Sequence, residues 1–181
     1  DTIQYVTMAS TGNAVDFGGD LPAAVGNLAG ISGATRGIFN SGSDDNNALS
    51  YITISTTGVD ASDFGDSPYK SRSNQSTGGN SVRAMFAGGG TPSPGVNSMY
   101  YLTISTLGNG TDFGDLTAET NGAGAVSSPT RMVVTGGKRA NSFSVTCDYV
   151  EIMTTGNALD FGDTTSARMC MAAGSNGHGG L

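Results

Sequence analysis

A chain of 181 residues is long enough to bury one sizeable core, and the expectation is a single domain over 1–181. Twenty-nine glycines, only two glutamates (Glu119 and Glu151) and abundant Ser, Thr and Asn exclude long helices, because these short residues disfavour helix interiors. The formal charge of −7, with eight Lys and Arg, excludes the basic footprint of a nucleic-acid binder, and no run approaches the roughly 18 apolar residues of a membrane span.

The first predicted element is a strand around Tyr5 in IQYVTMASTGNAVDFGGD. Its alternate faces, Ile3/Tyr5/Thr7 and Val6/Met8, are both substantially apolar, as in a strand sandwiched between sheets. Gly12 follows, then a turn at Asp16-Phe17-Gly18. After the connection LPAAVGNLAGISGA comes a second strand, RGIFNSG, from Arg36 to Gly42. The pattern then recurs: a tyrosine strand at Tyr51 with a turn at Asp63-Phe64, and an arginine strand at Arg83. A third unit has Tyr101, Asp112-Phe113 and Arg131, and a fourth has Tyr149, Asp160-Phe161 and Arg168.

Internal repetition of this kind governs the fold. The tyrosines are separated by 46, 50 and 48 residues, each followed seven residues on by glycine (Gly12, Gly58, Gly108, Gly156). Each arginine is followed six residues on by glycine (Gly42, Gly89, Gly137, Gly174). The run from tyrosine to arginine is 31, 32 and 30 residues in the first three units and 19 in the last; the extra dozen residues are expected to form an added hairpin or long surface loops. The interval from Arg83 to Tyr101 and from Arg131 to Tyr149 is 18, and joining the end to the start would give 18 from Arg168 to Tyr5. Two expectations follow: the termini share one unit and close a ring, or the segment comes from a longer array.

The order of Arg, apolar strand, Gly-Gly, variable turn and Tyr strand resembles the kelch family of β-propellers, with Asp-Phe-Gly-Asp where a kelch unit has tryptophan. The phrases TGNAVDFGGDL, TLGNGTDFGDL, TTGNALDFGDT and SNGHGG resemble repeats of bacteriophage tail and other virion proteins, particularly of marine cyanobacterial phages. The resemblance implies an all-β, kelch-like propeller of four imperfect repeats of roughly 46 residues in a non-enzymatic particle protein.

The residues offer little chemistry. Four Asp-Phe-Gly copies, without a catalytic HRD loop or glycine-rich nucleotide loop, are not a kinase signature. Their expected role is structural, with Phe17, Phe64, Phe113 and Phe161 as buried anchors and the aspartates capping turn amides. The four arginines are expected to pair with repeat aspartates. No cofactor is expected; the alternative of calcium rests on the repeated aspartates or on Asp44, Asp45, Asn46 and Asn47, without an EF-hand loop. The lone histidine, His178, cannot assemble a zinc site or triad with what surrounds it. Cys147 and Cys170 read as two free, half-buried thiols, with one disulfide the alternative. Tyr69, Lys70 and Arg72 on one long loop, and Lys138 and Arg139 beside a Gly-Gly turn, are the non-repeat residues best suited to touch a partner.

The functional expectation is a structural or host-adhesion protein located in a virion. Its partners would be neighbouring virion proteins or host-surface glycans, with neither nucleic acid nor membrane insertion, and with self-association open. The alternatives are a carbohydrate-binding, lectin-like propeller, expected to carry repeated pockets lined by aromatic and amide side chains, and a propeller enzyme.

Overall fold

The computed structural model describes residues 1–42, 46–70, 73–90 and 95–174. These are all-β, with no helix among them. In chain order the strands are β1 (Thr2–Tyr5), β2 (Val15–Asp20), β3 (Gly30–Ser32), β4 (Arg36–Asn40), β5 (Ala48–Thr53), β6 (Ser62–Asp66), β7 (Ser76–Gly79) and β8 (Arg83–Ala87). They continue as β9 (Val96–Thr103), β10 (Thr111–Thr120), β11 (Gly124–Ser127), β12 (Arg131–Thr135), β13 (Lys138–Arg139), β14 (Ser142–Phe143), β15 (Thr146–Glu151) and β16 (Leu159–Asp163). Three antiparallel four-stranded sheets result, β3-β4-β5-β6, β7-β8-β9-β10 and β11-β12-β15-β16, beside the pair β1-β2 and the hairpin β13-β14.

The arginine and tyrosine strands at Arg36/Tyr51, Arg83/Tyr101 and Arg131/Tyr149 are the two central strands of the three four-stranded sheets. The Tyr5 strand, expected to be sandwiched between sheets, is instead β1 of the two-stranded pair, with Tyr5, Val6 and Met8 all exposed because no sheet covers them among the described residues. Along β8, Ala84 and Phe86 join Ile38, Leu49, Phe64, Tyr100 and Leu102 in a core between the first and second sheets. The alternate residues Met85 and Ala87 join Met99, Phe113, Met132, Val134, Val150 and Ile152 in a second core, between the second and third sheets. One strand thus serves two cores, as the period of two in side-chain direction requires.

The Asp-Phe-Gly segments, expected as turns, lie within the outermost strands β2, β6, β10 and β16. In the last three the phenylalanine is the extra residue of a β-bulge, falling between the paired neighbours Asp63/Gly65, Asp112/Gly114 and Asp160/Gly162. Each bulge needs a glycine with positive φ, from 82° at Gly18 to 133° at Gly65. The Asp Oδ1 accepts from that glycine's N–H, at 2.9 Å in Asp16–Gly18, 3.0 Å in Asp63–Gly65, 3.4 Å in Asp112–Gly114 and 3.1 Å in Asp160–Gly162. The predicted capping of amides by these carboxylates is therefore present in all four copies.

The long connections conceal the first strands, β3, β7 and β11, which meet side by side. Thr77 Oγ1 donates to the Gly30 carbonyl at 3.0 Å, and the Gly79 N–H to Ser127 Oγ at 3.1 Å. Just before these strands, Asn27, Asn74, Gly122 and Cys170 all take left-handed backbone, with φ of 54°, 58°, 65° and 53°. The Asn74 N–H donates to Asn27 O, the Gly122 N–H to Asn74 O and the Cys170 N–H to Gly122 O.

That series corrects the sequence register at the fourth arginine. Arg168 begins no strand. Its carbonyl accepts from the Gly137 N–H as the Thr120 carbonyl accepts from Gly89, and the Cys170 N–H donates to Gly122 O as the Gly122 N–H does to Asn74 O, so Arg168 and Cys170 stand in the places of Thr120 and Gly122. The resemblance of RMCMAAG to the arginine strands is local pattern without the matching hydrogen bonds.

Candidate functional site

Neighbouring sheets are tied by a clasp built from the repeat. The turn between the third and fourth strands of each sheet reaches over the outermost strand of the preceding one. Gly58, Gly108 and Gly156 donate their N–H groups to the carbonyls of Phe17, Phe64 and Phe113, at 2.8, 2.9 and 2.8 Å. The next residue of each turn, or the one after, caps the second aspartate of the repeat: Asp20 N–H donates to Asp60 Oδ1, Asp66 N–H to Asn109 Oδ1 and Asp115 N–H to Asn157 Oδ1, each at 3.0 Å. Phe17, Phe64 and Phe113 are 4, 2 and 2% exposed beneath these turns, whereas Phe161, with no clasping turn over it among the described residues, is 54% exposed. Three of the four predicted anchors are buried and the fourth is not.

Among the described residues Arg36, Arg83 and Arg131 have partners other than aspartate. Arg36 Nη1 donates to the Ile104 carbonyl and Arg83 Nη1 to the Ile152 carbonyl, both at 2.8 Å, so each bridges to the next sheet. The same guanidinium groups lie over Tyr51 and Tyr101, at 5.1 and 4.0 Å from the ring centroids. Arg131, on the last sheet, covers Tyr149 and is bound through Nε and Nη2 by Glu151 Oε1 at 2.9 and 2.7 Å. A planar fork can donate to a carbonyl while it covers a ring, which is why residue type alone pointed to the wrong partner.

Of the expected partner contacts, Tyr69 is held by a hydrogen bond from its hydroxyl to Asp112 Oδ1 at 2.7 Å. That bond, with partial burial and the carboxylate charge, pushes the phenol up to about 12. Arg72 lies outside the described residues, as do Asp44, Asp45 and His178. Lys138 and Arg139 form β13, paired with β14 through the turn Ala140-Asn141, both with positive φ, as in a two-residue hairpin.

Arg139 is committed to the interior. Its Nη2 donates to Asp148 Oδ2 at 2.8 Å and its Nη1 to Thr117 Oγ1 at 2.9 Å, while Thr117 Oγ1 donates to Asp148 Oδ1 at 2.7 Å. Asp148 is fully buried. The cluster joins β10 of the second sheet to β15 of the third. What the hairpin does present outward is Phe143, an exposed aromatic ring that the sequence reading missed; its signal was the turn Ala-Asn after Lys-Arg, which sets Phe143 opposite Lys138. Because each sheet is a meander, this hairpin leaves its sheet at the end that corresponds to the ends of β4 and β8 and the starts of β5 and β9.

The first strands line a shallow depression of about 200 Å³, floored by Gly30–Ser32, Thr77–Asn80 and Ala125–Ser127, with Ala173 and Gly174 on its remaining side. Two further clefts stand in equivalent places: one of about 90 Å³ with Tyr51, Thr56 and Asp60, and one of about 240 Å³ with Tyr149, Thr154 and Asn157. Cys147 and Cys170 are both free thiols, the first buried and the second exposed rather than alike; burial, then the charge of Asp163, pushes the Cys147 thiol up. Among the described residues no three His, Cys, Asp or Glu side chains are grouped to hold a metal ion. Comparison with protein-family models and with curated proteins returns no match for this chain.

Proposed function

We propose that this chain is part of a kelch-like β-propeller and works as a non-enzymatic structural or host-adhesion component of a virus particle, of the phage tail or fibre kind. The observation that carries the reading is the use made of the recurring charged residues. The four Asp-Phe-Gly aspartates hold their own bulges, and Arg36 and Arg83 tie one sheet to the next. Repetition here builds a rigid body, and the departure from it at the β13–β14 hairpin, where Phe143 is exposed, falls on a connection between strands, where recognition is commonly carried. Propeller geometry is supported by first strands that adjoin around a depression and by outer strands that clasp their neighbours. The virion assignment rests on the resemblance of the TGN…DFGD phrases to particle proteins.

The test is to label intact particles from the source with an antibody against this chain and to ask whether the purified chain competes with particle adsorption to host cells. Labelling with competition supports adhesion, and labelling without it supports a structural role. Absence of the chain from purified particles overturns the proposal.

The equivalent clefts at Tyr51 and Tyr149 favour a second reading, a lectin-like module with several like sites. On a glycan array followed by calorimetry it predicts more than one equivalent sugar site per chain. A single site, or none, counts against it.

A further inference from the structure

The two ends of this stack of sheets are complementary, and each lacks what the other offers. Every internal outer strand carries a clasping turn above its bulge glycine: a Cβ on Gly65 would meet Gly108 O at 2.6 Å, and one on Gly114 would meet Gly156 O at 2.5 Å. On the last strand, β16, Gly162 has nothing within 4 Å and Phe161 is open to solvent. At the other end, the turn Thr11-Gly12-Asn13-Ala14 between β1 and β2 has the clasp sequence, and the cross-sheet backbone bonds that Gly58, Gly108 and Gly156 make have no counterpart at Gly12 among the described residues. Asn13 stands where Asn109 and Asn157 cap an aspartate N–H of the preceding sheet.

Two more residues fit the same register. Three positions after the tyrosine in the third and fourth units, Ile104 and Ile152 are buried at 3 and 0% exposure and their carbonyls accept from Arg36 and Arg83 of the preceding sheet, whereas Ile54, the equivalent in the second unit, is exposed. The equivalent residue of the first unit is Met8, 98% exposed, a long apolar side chain with nothing to cover it. The equivalent arginine at the far end is Arg131, whose guanidinium is turned onto Glu151 of its own sheet.

We propose that the β15–β16 face of one copy receives the β1–β2 hairpin of a second copy, head to tail. The Gly12 and Ala14 N–H groups meet the Phe161 and Asp163 carbonyls, Asn13 caps the Asp163 N–H, the ring of Phe161 is covered, and the Met8 carbonyl is the acceptor offered to Arg131. The occupant is specified by the molecule itself: this interface would continue, between copies, the contact that β2, β6 and β10 already make within one chain. Exposed apolar side chains rimmed by matched polar groups mark an association surface. Because the two patches differ, the contact is heterologous and produces a closed ring or an open filament according to its rotation. This inference does not depend on the functional reading above.

Light scattering on the whole 181-residue chain across a concentration series tests it, with Met8→Asp to disable one end and Phe161→Asp the other. Both residues are exposed, and circular dichroism with thermal melting verifies that the variants fold. Wild type should rise above the single-chain mass of 18.1 kDa with concentration. Each variant alone should stay at the single-chain mass where wild type associates, with affinity reduced at least about tenfold, the equivalent of about 1.4 kcal/mol. An equimolar mixture retains one intact pair of ends and should stop at the mass of two chains. Wild type at the single-chain mass throughout, as a ring closed by its own ends would give, overturns the proposal. So does association that both variants preserve, or a mixture that remains single chains.

Discussion

The N–H of Gly156 donates to the carbonyl of Phe113 at 2.8 Å, across the boundary between the third sheet and the second. The same bond joins Gly108 to Phe64 and Gly58 to Phe17, so a turn glycine of one unit is fixed to the bulged aromatic of the unit before. The turn must come close, and only glycines leave room for it.

Gly19 tests that closeness without a backbone complication, since its φ is not in the left-handed range. A Cβ there would run into the Val59 carbonyl of the clasping turn. Gly19→Ala should cost about 1–3 kcal/mol, as overpacking does. Gly12→Ala, with open space around it, should stay within about 0.5 kcal/mol in a dilute sample. Urea denaturation of the two variants gives the comparison.

The same argument separates two chemically identical deletions. Phe113→Ala empties a filled core site and should cost about 3–5 kcal/mol, whereas Phe161→Ala removes a ring already in solvent and should cost less than about 1 kcal/mol. Equal losses in denaturant would show that Phe161 is covered as well as Phe113 is.

Arg139 of the β13–β14 hairpin and Asp148 of the third sheet form a buried ion pair, and removing one partner strands the other charge. Arg139→Ala should destabilise by about 3–5 kcal/mol, while replacing both residues by apolar ones of similar size should cost markedly less than the single change. A double-mutant cycle in thermal or chemical denaturation reads the coupling.

Tyr69 supplies a pH dependence. Its phenol is raised from 10.0 to about 12 in the folded chain, so the fold favours the protonated form. That contribution is complete below pH 10 and is lost as pH climbs through about 12, when the native phenol also ionises. The difference between the ultraviolet titrations of wild type and Tyr69→Phe should show one phenol with a midpoint near 12; a midpoint near 10 would mean that the bond to Asp112 is not held.

Much of this was legible in the chain itself. Tyrosine and arginine marked the central strands because β-branched and aromatic runs alternate there, and Asp-Phe-Gly marked the Asx contact and the positive-φ glycine, although these segments read as turns and are bulges within outer strands, which only the pairing with a neighbouring strand decides. The first strands were hidden because Ser76-Thr77-Gly78-Gly79 has no apolar alternation; its glycines answer to a neighbour, Met132, which a Cβ on Gly78 would meet at 2.9 Å. The left-handed series Asn27, Asn74, Gly122, Cys170 was hidden because a cysteine rarely takes that backbone. Arg168 was misplaced for the same reason: side-chain pattern is local, while the hydrogen bonds that fix register run between sheets. The exposure of Phe161 depended on what stands beside β16, which no single repeat encodes.

The most direct measurement of the central claim, that each sheet is clasped to the one before, is amide hydrogen exchange at four equivalent glycines. On the Phe161→Asp variant, where the Gly12 turn has no partner face, Gly58, Gly108 and Gly156 should exchange at least about 100-fold more slowly than Gly12, since only those three N–H groups are bonded across a boundary. Equal, rapid exchange at all four would contradict the account.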